Sequence, residues 1–142
     1  MTERTREERC ALLAIAEPAD LVTLADQVIA DVGEPAILAA PQVGAIATQI
    51  REPIGRERFF LGDVLSCRAE VELAGARGWA MRLGEDRAAV LAAAILDAAA
   101  QIDAATAGAV DALCTQVEIN RDERERAEWA QLQPTIVEFE EL

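Results

Sequence analysis

The feature that most restricts how this chain can fold is the alternation from Val64 to Leu73. Leu65, Cys67, Ala69, Val71 and Leu73 occupy every second position, with Ser66, Arg68, Glu70 and Glu72 between them. Side chains on a strand point alternately to opposite faces, so the pattern specifies a strand with one buried face and one wet face. Gly75 to Gly78 then predicts a turn. Trp79, Met81 and Leu83, alternating with Ala80 and Arg82, predict its hairpin partner. Upstream, Gln42 to Arg51 is rich in small and β-branched residues without helical period and reads as another strand, among Pro35, Pro41, Pro53 and Gly55.

The period changes to helical on both sides of this block. Thr5 followed by Glu8 is a capping-box pattern, so a short helix is expected to end near Glu17 and Pro18. Leu21, Leu24, Ala25, Val28, Ile29 and Val32 predict a second helix, stopped by Gly33. Asp86 is a natural N-cap for a third, with Leu91, Ile95, Ala98 and Ile102 on one stripe. A fourth is expected from Thr106, carrying Val110, Leu113, Cys114 and Val117, and its stripe fades into the mixed charges of Arg121 to Glu128 before Pro134. Helices, an antiparallel meander, then helices again predict an α+β fold. With 142 residues, 52% of them hydrophobic, one domain can bury a core and two would be crowded, so residues 1–142 are read as a single domain. Residues 134–142 form an acidic tail that also carries Ile136, Val137, Phe139 and Leu142. That grouping is expected to dock on another subunit; the alternative is that it folds back onto the sheet or pairs along its edge.

The side chains that are missing limit the chemistry more than those present. The sequence has no His, Lys or Tyr, and its only serine is Ser66. A Ser-His-Asp triad, a Cys-His pair, a Schiff-base lysine, a P-loop lysine and a histidine-ligated metal are therefore impossible within it. Asp, Glu and Cys remain for acid/base work, and no carboxylate spacing singles out a pair, so neither a catalytic residue nor a metal ligand is assigned. Cys10, Cys67 and Cys114 are widely spaced and read as small buried hydrophobes. A net charge of −13 argues against nucleic acid and anionic membranes as partners. No apolar run reaches the roughly 20 residues of a bilayer span, and the charged start Met1 to Arg9 leads into no signal-type region, so a cytoplasmic location is expected. Arg51, Arg56, Arg58 and Arg68 fall close together, either to meet an anionic group or an acidic partner, or as solvated strand ends.

The run Glu57-Arg58-Phe59-Phe60-Leu61-Gly62-Asp63 reads as a tight connection between two strands with a local aromatic cluster. It also resembles the PhnG family, a subunit of the bacterial carbon-phosphorus (C-P) lyase system. Phe59, Gly62, Asp63 and Arg68 fit the first part of the family pattern. Gly78, Gly84 and Asp86 fit a glycine-spaced second part, and Asp97, Ala98 and Gln101 a helical third. Leu13-Ala14 with Pro18-Ala19-Asp20-Leu21 and Val137-Glu138-Phe139 resemble its two ends. Cys67 stands where the family usually has Thr, Glu85 where it has Arg, and Ala89 where it commonly has His. The resemblance implies an accessory subunit beside PhnH-, PhnI-, PhnJ- and PhnL-type partners, in a complex that transfers phosphonate to the ribose of MgATP and releases adenine. It also implies that this chain binds no cofactor itself, although it could self-associate when isolated. Phe59, Phe60, Gly62, Asp63, Arg68, Gly84, Asp86, Asp97 and Gln101 become the candidates for holding a partner or organising substrate. Arg68, between acids on a polar strand face, is expected to meet an acid. Asp97 and Gln101, one turn apart, read either as reaching a partner or ligand or as a solvated helix edge. Rival readings are an acidic binding module of another assembly and a hydrolase built on Asp63 and Asp97.

Overall fold

A computed structural model describes residues 3–135. The elements run in the order α1 (Arg6–Leu13), α2 (Pro18–Val32), β1 (Ala36–Arg51), β2 (Arg58–Leu73), β3 (Ala76–Leu83), α3 (Arg87–Ala99) and α4 (Ala104–Leu132), with a 3-10 turn at Gln133–Thr135. The three strands form an antiparallel meander in the order β1-β2-β3, so the α+β architecture expected from the sequence is the one adopted.

Local chemistry sets most of the boundaries. Thr5 and Glu8 close a reciprocal capping box at the start of α1. Asp86 caps α3 through the Ala89 N–H, and Asp103 caps α4 through the Thr106 N–H, so α4 begins two residues before the expected Thr106. Helix α1 stops at Leu13, short of the expected Glu17. Arg82 accounts for that early stop: its guanidinium donates to the Leu13 and Ala16 carbonyls at 2.6 and 2.8 Å, taking acceptors that another helical turn would use.

The sheet departs from expectation in three places. β1 begins at Ala36 and runs through Pro41, which is tolerated because β1 is an edge strand whose register shifts on either side of Ala39. Of the segment 57–63, expected to be a connection, residues 58–63 instead open β2; the turn lies between Arg51 and Arg58. The β2–β3 turn is tighter than expected, with only Ala74 and Gly75 at positive φ between paired Leu73 and Ala76, so Gly78 falls inside β3.

Helix α3 lies across one face of the sheet and is wrapped by α1 and α2, with α4 beyond them. It is buried on nearly all sides, Ala92 to Ala99 without exception, where a single stripe was expected. Alanine makes that possible, because a helix of methyl groups can be approached closely from every direction. On the covered sheet face Cys67, Ala69, Val71 and Leu73 come from β2, and Gly78 and Ala80 from β3. Trp79, Met81 and Leu83 fall on the open face, because Gly78 and Ala80 face α3 at its closest approach and Arg82 extends from the same side to α1. Leu65, on the covered side by parity, is half exposed because it lies beyond the first turn of α3. From there β1 and β2 continue as a two-stranded arm with helix on neither face.

Candidate functional site

The candidate residues fall into three separate places. Phe59, Phe60, Gly62 and Asp63 lie on the arm, where Phe59 pairs with Ile50, Phe60 with Gln49 and Asp63 with Ala47. Both aromatics are exposed, as are neighbouring Leu61, Ile50 and Ile54. Gly62 has φ +151° beside the register shift between Thr48 and Gln49, a backbone geometry that few residues other than glycine accept. Gly84, at φ +96°, donates its N–H to the Leu65 carbonyl and turns the chain toward Asp86, so this pair serves the β3–α3 connection. Arg68 stands on the open face between Gln42 and Met81, and among the described residues it forms no ion pair.

Asp97 and Gln101 do come together, though not as a solvated edge. Asp97 is fully buried. Its carboxylate takes a two-pronged contact from Arg6, at 2.7 and 3.2 Å, and another from Arg9 at 3.4 Å. It also accepts the Trp79 N–H at 2.9 Å and lies 3.5 Å from the Cys10 thiol. The Gln101 amide donates to the Arg77 carbonyl at 2.8 Å, which Arg6 also reaches at 3.1 Å. Trp79 N–H and Arg77 C=O face away from β2, so these side chains close the outer edge of β3 in place of a neighbouring strand. Nothing in the local sequence marks Arg6 and Arg9 as partners of a residue about ninety positions away.

Electrostatics here favour structure over reactivity. The hydrogen bond to Asp97 raises the Arg6 pKa, against some desolvation. Burial, reinforced by the Asp97 charge, pushes the Cys10 thiol up to about 11, and burial pushes Cys114 to about 11 as well. Burial also raises Cys67, and desolvation lowers Arg82. Such thiols are protonated at neutral pH and are poor nucleophiles. Because their folded pKa values exceed the ordinary 9.0, they contribute stability that is complete below pH 9 and lost as pH rises toward 11. The melting temperature should accordingly fall between those pH values, and a Cys10→Ser, Cys114→Ala variant should show a shallower fall. Equal alkaline slopes in the two proteins would refute this assignment.

A cavity of about 510 Å³ opens between α1 and α4, where Arg4 bridges Asp111 and Glu118 and compensates the acids around it. Among the described residues no three His, Cys, Asp or Glu side chains converge to hold a metal ion, and no helix is long and apolar enough to cross a membrane.

The family described as phosphonate metabolism protein PhnG matches residues 4–142. The chain belongs to the PhnG family. Membership places it in phosphonate metabolism and makes it a subunit type of a multi-protein phosphonate system. Comparison with curated proteins gives no match. The PhnG pattern residues Gly78, Asp97 and Gln101 now have a shared physical role: Gly78 lets α3 approach β3, and the two polar residues seal the strand edge beside it.

Proposed function

We propose that this chain is an accessory subunit of a C-P lyase core complex, supporting transfer of phosphonate to the ribose of MgATP with release of adenine while PhnI-type chemistry carries out the reaction. The observation that carries this reading is the family match across residues 4–142. The arm supports it: Phe59, Phe60 and Leu61 present apolar side chains to solvent on a strand pair that no helix covers, as a surface for PhnH-, PhnI-, PhnJ- or PhnL-type partners would. The rival hydrolase is disfavoured by distance. Asp63 lies seven positions along β2 from Glu70, the partner of Trp79, so it is roughly 20 Å from Asp97 at about 3.3 Å per strand residue.

Adenine release from MgATP and methylphosphonate tests the proposal. The isolated chain is expected to release none, whereas partner subunits should release adenine faster when this chain is added. Metal-dependent release by the chain alone, abolished by Asp63→Asn, would overturn the accessory reading.

A further inference from the structure

We propose that residues 136–142 of one copy add as a fourth strand along the outer edge of β1 in a second copy of this chain. The inference goes beyond the accessory role, since it concerns how copies of this subunit pair with each other.

The sheet has two outer edges, and they are treated differently. The β3 edge is guarded by Asp97, Gln101 and Arg6, which occupy its outward Trp79 N–H and Arg77 C=O. The first part of β1 is guarded by Pro41 and by shifts of register. From Gln42 to Thr48, however, the register with β2 is unbroken, and no proline interrupts the strand before Arg51. Its outer backbone groups have no strand partner among the described residues, and Ile46 and Ile50 are exposed along it. A long edge of this kind is a template for strand addition.

Residues 136–142 have the matching pattern. Val137 and Phe139 alternate with Glu138 and Glu140, which suits a strand with one apolar and one acidic face. Charge complements the edge. The segment carries Glu138, Glu140 and Glu141 with no base, while the end of the arm carries Arg51, Arg56 and Arg58 against Glu52 and Glu57. Glu52 is turned inward, accepting the Ile54 and Gly55 N–H groups.

Reach favours a second copy over the chain's own arm. Arg4 on Asp111 and Arg124 near Glu17 show that α4 runs along α1 on the far side of the helical layer from the sheet. Crossing from there to β1 traverses two packed layers, roughly 20 Å, whereas seven extended residues span at most about 25 Å. Too little chain would remain to pair with its own edge. In trans the whole segment is available, and reciprocal exchange closes a two-fold dimer.

Light scattering and sedimentation of the full chain test this. The full chain is expected to dimerise. A chain ending at Thr135, and separately Arg51→Glu with Arg58→Glu, should each weaken the dimer at least about tenfold without lowering the melting temperature of the monomer. Adding Glu138→Arg and Glu140→Arg to the arginine-reversed arm should restore pairing. A monomeric full chain, a dimer that survives removal of residues 136–142, or failure of the charge swap to restore pairing would each overturn the proposal.

Discussion

Replacing Asp97 with alanine is expected to destabilise the fold by about 3 kcal/mol, a large share of the 5–15 kcal/mol typical of a domain. Asp97 is fully buried, and its removal strands several groups at once. The Trp79 N–H loses its acceptor at the strand edge, and Arg9, 14% exposed, keeps a charge with no counter-ion. Arg6 adds less to the loss, because its side chain is half exposed and water can replace the carboxylate. Asp97→Asn should cost less than Asp97→Ala, since an amide oxygen can still accept from Trp79. Urea unfolding of the three proteins measures the order. A midpoint for Asp97→Ala equal to the parent's would show that the carboxylate is not a structural keystone, and would reopen its reading as a ligand or partner group.

A second large effect is expected at Gly78. Any Cβ there would collide with the Ala94 carbonyl oxygen and lie 2.7 Å from the Ala98 nitrogen and 2.8 Å from its Cβ. Two of these three obstacles are helix backbone, so no rotamer change relieves them and α3 would have to lift off β3. Gly78→Ala should therefore cost about 3 kcal/mol, at the upper end of overpacking effects, and Gly78→Val should not fold. Adding Ala98→Gly to Gly78→Ala removes only the Cβ contact and should recover little. Thermal unfolding followed by circular dichroism checks both statements; full recovery in the double variant would mean that the methyl-methyl clash, not the backbone, sets the spacing.

These two positions also mark how much of the protein was legible in its sequence. The alternation of Val64 to Leu73, the capping box at Thr5 and the N-cap at Asp86 gave the element order and the α+β class, because each is a local signal between residues a few positions apart. Gly78 and Asp97 were visible as letters of the PhnG pattern, but their role was not. A glycine inside a strand signals close approach without naming what approaches, and an acid at a helix edge resembles any solvated acid until Arg6, Arg9 and Trp79 are brought around it. The expected tight connection at 57–63 failed for a related reason: Gly62 looks like a turn residue, but here it relieves a register shift inside a long strand. The expected docking role of residues 134–142 falls, from residue 136 onward, outside the described residues.

The sequence by itself determined the order of helices and strands and the α+β class, the absence of His, Lys and Tyr, and the family. Tertiary structure alone decided that α3 would be enclosed on nearly every side, that Trp79, Met81 and Leu83 would be left on the open face, and that β1 and β2 would outrun their helical cover. The physical reason is that period and capping depend on neighbours in the chain, whereas burial depends on how near another element can come. That distance is set by Gly78 and the alanines of α3 meeting across the sheet, a relation between residues whose closeness no local pattern records.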